Sequence, residues 1–403
     1  MLRSLFSAVT GMRANQTKMD VVGNNIANVN TAGFKGSDIV FQDTLSQIMR
    51  NGGSPGAGRG GTNPAQVGLG VQVAGITTNY AQGAAQNTGR ATDLMINGDG
   101  FFIVNNSAGE QLYTRSGSFS FDGSGNLTTS DGSILQGLKA VNGVVNPNGA
   151  LGDLRISFGS SIPPVASTTA TLQGNLPAGA TLGTILSTGI TMYDNQGGAH
   201  PMTYTYTKTA LNTWSVTATD NGVSQGTQVL TFDTSGNMVT PAGNTYTFTP
   251  TNAGWTGPVT VDMVKMNQYG GPNTVAATDQ NGYATGTLES FSMGNDGTLT
   301  GKYSNGQRQS IGQVLLAGFN NPAGLEKAGN STYRAGVNAG NVQIGLAGTS
   351  GRGQLSSGAL EMSNVDLGQE FTNLIVAQRG FQATTRLITA SDEILQDVVN
   401  LKR

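Results

Sequence analysis

Few residues in this chain could do chemistry. It has 403 residues, one histidine and no cysteine. Thiol nucleophiles, thiolate metal ligands and disulfides are therefore excluded. His200 stands in "DNQGGAHP", after a Gly pair and before Pro201. That context reads as a turn or strand-start histidine. No serine or acid beside it completes a nucleophilic set. Asp99, Asp122, Asp131 and Asp296 each precede a glycine, the pairing that tight turns favour. "DGSGN" at Asp122 imitates the opening of a calcium loop. Its sixth position is Leu127 and its twelfth is Ser133, where calcium needs a glycine and a bidentate glutamate. "GLG" at Gly68 and "GDG" at Gly98 open no strand–turn–helix unit, so neither cradles a phosphate. The expectation is a protein without catalytic, cofactor or metal residues; a pair of glycosidase carboxylates has no local motif behind it.

The totals point the same way. Charged residues are 11% of the chain and the net charge is −2. No basic footprint suggests nucleic acid or an anionic membrane surface. No apolar run approaches the ~18 residues of a membrane span. The opening "MLRSLFSAVTGMRAN" has Arg3 followed by a short apolar run. Arg13 and Lys18 then stand where a cleavage region would be, so no cleaved signal peptide is expected.

Elements become visible at both ends. Spacings of three and four link Leu2, Leu5, Val9, Met12, Gln16, Met19, Gly23 and Ile26. The same device links Leu367, Phe371, Leu374, Gln378, Phe381, Thr385, Ile388, Asp392, Leu395 and Val399. Both read as long amphipathic seams. Ser363 or Asn364 is a plausible N-cap for the second, and Asp366 and Glu370 suit its first turns. Two seams at the termini most naturally pack on each other.

Between them the pattern is strand and turn. "TYTYTK" (Thr203–Lys208) and "TWSVTAT" (Thr213–Thr219) alternate strictly, as does "TYTFT" from Thr245, the signature of half-buried strands. "SFSFDGSGNLTTSDGSIL" (Ser118–Leu135) reads as a hairpin. The expected fold is multidomain and mainly β with α-helical termini. Long N- and C-terminal helices form a coiled coil, and nested β-rich domains lie between. Composition places a terminal helical domain at 1–32 plus 363–403. A Gly/Pro-rich connecting arm covers 33–70. A β-rich inner domain takes 71–145 plus 281–362, and an inserted outer β domain takes 146–280.

The tract "VVGNNIANVNTAGFKG" (Val21–Gly36) needs its own account. Asn28, Asn30 and Gly33 stop a helix. Asn24 and Asn25 lie inside the seam, where an amide bridges packed helices without the cost of burying an ion.

"NNIANVNTAGFK" (Asn24–Lys35) resembles the N-terminal signature of the bacterial flagellar axial proteins that build rod and hook. "GALEMSNVDLGQEFTNLIVAQRGFQATTRLITASDEILQDVVNLKR" (Gly358–Arg403) resembles their C-terminal signature. "GRATDLMINGDGFFIV" (Gly89–Val104) and "YTRSGSFSFDGSGNLTTSDG" (Tyr113–Gly132) look like the domain common to rod and hook subunits. "TMYDNQGGAHPMTYTYTK" (Thr191–Lys208) and "ATDQNGYATGTLESFSMGNDGTLTGKYSNGQ" (Ala277–Gln307) resemble the outer domain of hook-type members. The motif residues carried over are Asn24, Asn25, Asn28, Asn30, Gly33 and Phe34.

The resemblance implies a structural subunit that polymerises with itself into a curved helical tube outside the cell envelope. The tube acts as a universal joint between basal body and filament. Implied partners are the distal rod, hook cap and hook–filament junction proteins and the flagellar type III export apparatus, with no nucleic acid and no membrane insertion. Export without a cleaved signal is implied. The expected assembly core is Leu2, Leu5, Val9, Met12, Met19 and Ile26 against Phe371, Leu374, Phe381, Ile388, Leu395 and Val399, within and between copies. A distal rod subunit of the same family and a secreted β-rich adhesin are the alternatives.

Overall fold

The computed structural model of the chain describes residues 2–56, 58, 60–251 and 254–400, without the side chains of Leu2, Val398 and Val399. Helix α1 spans Leu2–Ala27. It stops where the amides begin: Asn28 turns its side-chain NH2 back onto the Asn24 carbonyl at 2.9 Å, competing with helix continuation. Helix α2 spans Leu367–Asn400, roughly 50 Å at 1.5 Å per residue. Its N-cap is Asp366, whose Oδ1 accepts the backbone N–H groups of Gly368 (2.8 Å) and Gln369 (3.3 Å). Neither Ser363 nor Asn364 serves as the cap. Asn364 is committed elsewhere: its Oδ1 accepts Gly36 N–H at 2.9 Å, and its Nδ2 donates to the Asn79 and Ala81 carbonyls at 2.8 and 3.0 Å.

The chain divides into two compact units. The first holds Met1–Ile156, Ser292–Thr300 and Ser310–Arg403. Its sheet is built around Phe101–Asn105, which pairs antiparallel with Gln111–Thr114, with Ile134–Val141 and with the strand through Leu316. "FFIV" reads as a continuous apolar run because both faces of this strand are covered. Phe102 and Val104 join Leu112, Leu135, Val314 and Leu316 on one side. Phe101 and Ile103 join Tyr113, Leu138, Leu315 and Tyr333 on the other.

Residues 33–70, expected as a Gly/Pro-rich connecting arm, carry paired strands. Strands β1 (Ser37–Asp43) and β2 (Ser46–Arg50) run out, and β3 (Ala65–Gly68) and β4 (Val71–Thr78) run back. β1 pairs with β4, and β2 with β3. The Gly/Pro content is concentrated towards the tip, beyond β2, where Gly53 pairs with Thr62. The ribbon leaves Leu45, Ile48, Met49 and Ile76 more than half exposed.

The second unit holds Ser157–Phe291 and Gly301–Gln309. A five-stranded antiparallel meander, running in chain order from Ile185–Tyr193 to Met238–Thr240, packs its inner face on a four-stranded sheet. In the latter, Thr169–Asn175 lies parallel to Val259–Asn267. One core joins the sheets, with Tyr204, Tyr206, Trp214, Val216, Leu172, Val261 and Met263 all at 0% exposure. The alternation in "TYTYTK" is the reason: tyrosines enter the core while Thr203, Thr205 and Thr207 face outward. The composition break suggested a boundary at 146, but the unit begins at Ser157. Gly152–Asp153 pairs with Gln136–Gly137, and Leu154 and Ile156 are fully buried in the first unit. Beyond 280, Tyr283 exchanges backbone hydrogen bonds with Val165 at 2.9 and 3.0 Å, so the return strand belongs to the second unit.

The "DGSGN" turn and its counterpart "DTSGN" at Asp233 solve the same problem twice. Asp122 Oδ1 accepts the Ser124 and Asn126 N–H groups, and Asp233 Oδ1 those of Ser235 and Asn237, all at 2.8 Å. These carboxylates hold backbone, not an ion.

Trp214→Ala should lower the stability of the second unit by about 3–5 kcal/mol, the usual cost of deleting a buried indole. Differential scanning calorimetry should show one transition moved down and that of the first unit in place. An unmoved profile would rule out this core.

Candidate self-assembly site

The amide motif of α1 is a junction. Asn25 is buried at 2% exposure. Its Nδ2 donates to the Ser37 carbonyl (2.9 Å) and to Glu370 Oε1 (3.1 Å), and its Oδ1 accepts Ser37 N–H (3.0 Å). One side chain thus ties α1 to β1 and α2. A neutral amide can do this because it offers donors and acceptor together. Gly33 follows at φ +69°, and its N–H donates to the Glu361 carbonyl at 2.7 Å. A Cβ there would stand 2.4 Å from the Ser116 nitrogen, so only glycine fits both the backbone and the space.

Two residues on lies a buried charge cluster. Lys35 Nζ donates to Glu361 Oε1 at 2.5 Å and to the Ala81 carbonyl at 2.8 Å. Arg115 reaches Glu361 Oε2 at 3.4 Å and the Gly98 carbonyl at 2.9 Å. Gly83 N–H also donates to Glu361 Oε1, at 2.9 Å. Lys35 is 0% and Glu361 1% exposed. Burial pulls the Lys35 ammonium below the ordinary lysine range, and the Glu361 partnership opposes that shift. The Arg115 guanidinium is moved down by the same cause and supported by Glu361. Three segments far apart in sequence meet on this one carboxylate.

The helices run antiparallel. Asn25 faces Glu370. A Cβ at Gly380 would lie 2.8 Å from Asn15 Oδ1, and one at Gly11 would lie 3.2 Å from Thr384 Cγ2. Small side chains let the backbones close: Ala8, Ala14 and Ala377 are buried with Val22. Several close positions fall one residue before the apolar seam read from sequence. In α1, Ala8, Gly11, Asn15, Val22 and Asn25 precede Val9, Met12, Gln16, Gly23 and Ile26. In α2, Glu370, Ala377 and Thr384 precede Phe371, Gln378 and Thr385.

The expected core residues are placed as follows. Leu5, Val9, Met12, Met19 and Ile26 are half-buried, as are Leu374, Phe381, Ile388 and Leu395. Phe371 is 50% exposed. The side chains of Leu2 and Val399 lie outside those described. Of the motif residues, Asn25 and Gly33 are buried, Asn28 and Phe34 half-buried, and Asn24 and Asn30 exposed. Phe6, Ile375, Val376, Leu387 and Ile394 are at least half exposed, so the helix pair keeps an uncovered apolar side. Pattern reading passed over the pairing of Lys35, Arg115 and Glu361, and took Asn364 for a helix cap rather than a tie in the junction. The available signal was a lysine closing an uncharged, glycine-flanked motif in a charge-poor chain.

No described group of three or more histidine and acidic side chains can hold a metal ion. His200 lies early in the strand Ala199–Ala210 of the second unit. Its Nδ1 is 2.7 Å from Asp220 Oδ2 and its Nε2 3.3 Å from Asp194 Oδ2. The ring braces the 194–198 turn against a neighbouring strand. No described helix is long and apolar enough to cross a membrane.

Family profiles match four stretches, together about two thirds of the chain. Residues 5–35 match the flagella basal body rod protein family, and 95–190 the D1 domain of the flagellar hook protein FlgE/F/G. Residues 169–283 match the flagellar basal body protein FlaE D2 domain, and 356–401 the C-terminal part of the flagellar basal body rod FlgEFG proteins. The flagellar hook protein FlgE of Borreliella burgdorferi is 37% identical, with all of both chains covered. The chain belongs to the flagellar hook protein family. The hook protein FlgE of Treponema pallidum is 38% identical, again over the whole of both chains. The crystal structure of Helicobacter pylori flagellar hook protein FlgE2 superposes with a TM-score of 0.54 at 14% identity, covering 69% of this chain and all of that one. That structure speaks for the hook-protein fold.

Glu361→Gln should destabilise the first unit by about 3–5 kcal/mol, because two buried cations lose their counter-charge. Adding Lys35→Met should return more than about 1 kcal/mol of that loss. Urea unfolding of the three proteins checks both numbers. Equal stability of Glu361→Gln and the parent would mean that the cluster carries no weight.

Proposed function

We propose that this chain is the structural subunit of a bacterial flagellar hook. It polymerises with itself into a short curved tube outside the cell envelope. The tube passes torque from the basal body to the filament through a bend. The observation that carries this reading is the helix pair. Its two helices already pack on each other, yet Phe6, Phe371, Ile375, Leu387 and Ile394 still present apolar surface. Surface of that extent asks for further copies to cover it. The half-buried seam of Leu5, Val9, Met12, Met19 and Ile26 with Leu374, Phe381, Ile388 and Leu395 then forms the tube core, to which Leu2, Phe371 and Val399 also contribute.

The second unit suits a surface that must shift. Its five-stranded sheet turns Thr203, Thr205, Thr207, Ser215 and Thr217 outward, and Thr217 meets the Thr227 hydroxyl at 3.0 Å. A hydroxyl face exchanges partners with water at small net cost. No ion pair need break at each turn of the tube.

The other partners follow from place: the distal rod below, the cap during growth, the junction proteins above. Type III export delivers the subunit without a cleaved signal, and a cysteine-free chain can thread a narrow channel with no disulfide to open. A distal rod subunit is the nearer rival. The hook is preferred because the full-length relatives at 37 and 38% identity are hook proteins. An adhesin would leave the helical faces without a task.

Phe381→Asp and Leu374→Asp should each abolish tube formation, since a carboxylate in an apolar contact is costly. Electron microscopy of polymerisation mixtures reads the tubes. Circular dichroism and calorimetry should show the second unit unchanged. Tubes of normal length from either variant would remove the seam from the assembly core.

A further inference from the structure

A cavity of about 190 Å³ opens beside the start of α2, among Asn25, Asn364, Asp38, Asp366, Gln369 and Glu370. Its chemistry is one-sided. Three carboxyl groups and several amides line it, and no cation does. Asp366 spends Oδ1 on the helix cap. Asp38 is exposed, and no described group pairs with its carboxylate. Glu370 is 8% exposed. Its Oε1 holds Asn25, but its Oε2 is buried without a hydrogen-bond partner. Burial raises the Glu370 carboxyl above the usual range, and the like charge of Asp38 adds to this. An orphaned carboxylate oxygen at that depth costs free energy until a donor reaches it.

Lys18 acts on Glu370 through its charge, opposing the upward shift. It lines the adjoining cavity of about 170 Å³ with Asp38 and Glu370 and forms no ion pair with either. The described acids do not converge closely enough to chelate a metal ion. The cavity suits an extended cation with several donors. A guanidinium has five N–H groups in a plane and can serve two carboxylates and an amide carbonyl together.

We infer that this cavity receives an arginine side chain from a second copy of the chain, supplied by Arg379 or Arg386 of its α2. The inference rests on the self-assembly reading above. Both arginines are exposed, and neither has an ion-pair partner among the described residues. They stand two turns apart, among the apolar positions Ile375, Val376 and Leu387. The face that a second copy must cover therefore brings the guanidinium with it. Apolar contact supplies the area, and the acidic cavity fixes the register, as buried charge pairing does at interfaces.

The chain has no cysteine of its own, so single cysteines report contacts without background. Full-length Asp38→Cys subunits are mixed with Arg379→Cys, Arg386→Cys or Arg13→Cys subunits and polymerised. They are treated with a bismaleimide whose spacer matches the reach of an arginine side chain, because a direct disulfide would be too short to span such a pair, and run on denaturing gels. Mixing variants confines each cross-link between Asp38→Cys and an arginine variant to different copies. Cross-linking to the 379 or 386 variant, present in polymer and absent from dissociated subunits, is the expected result. Asp38→Asn should also raise the critical concentration for polymerisation roughly tenfold or more, the factor for a hydrogen bond to a charged group. Polymers that cross-link at neither α2 position, or only at 13, overturn the assignment and leave the hook reading standing. Asp38→Asn tubes at the parental critical concentration do the same. A parent chain that forms no polymer under any condition overturns the hook reading itself.

Discussion

A carboxylate with no access to water must be paired on every side, and Glu361 is that group in this fold. The cost of desolvating one charge is several kcal/mol, and desolvating three is tolerable only when geometry is tight. Lys35 follows the amide motif, Arg115 comes from the inner sheet region, and Glu361 precedes α2. None of the three can be buried without the others. The cluster therefore makes docking of the N-terminal motif, the sheet and the C-terminal segment one event. Asn25 and Asn364 add uncharged ties at the same junction. Direction follows as well: both helices leave from one anchored point, which sets them side by side and antiparallel.

From that anchor the helices close on small residues. Ala8, Gly11, Ala14, Ala377 and Gly380 bring the backbones together, and the larger apolar side chains are pushed to the flanks. There they are half-buried or exposed, according to side. A pair closed on its leucines and phenylalanines would satisfy itself. One closed on alanine and glycine leaves its large side chains for other copies. Choosing small residues for the internal contact is what makes the external contact necessary.

That arrangement also explains what the sequence could and could not reveal. Periodicity located both helices, since spacings of three and four survive whatever the partner is. It selected the larger apolar residues as the seam, and the closest contacts fall one position earlier, because alanine, glycine and asparagine carry little weight in a hydrophobic count. Strict alternation marked the second unit's strands, where one face is core and the other hydroxyl. The arm was obscured by its composition: glycine and proline crowd towards one tip, and their density hid the paired strands on either side. Asp366 won the cap over Asn364 because Asn364 had three backbone groups to satisfy in the junction. The Lys35–Glu361 pair spans 326 positions, and no local pattern announces a partner at that distance.

Scarcity of charge gives the remaining charges meaning. With 11% charged residues, the chain does not cover its surface with ions, and its turns and outer sheet are finished with amides and hydroxyls. Such a surface has many weak and interchangeable contacts, so neighbours can move past one another over a smooth energy profile. Ions are kept for places where movement is unwanted: the junction at Glu361, the bidentate Arg334–Glu110 pair and the arginines on the uncovered side of α2. A tube that bends while it rotates needs both kinds of contact. It needs a core whose register is held and outer surfaces whose register is not. In this chain the division is made by side-chain chemistry, with the Glu361 charge cluster and close helix contact in the first unit and an outward hydroxyl face on the five-stranded sheet of the second.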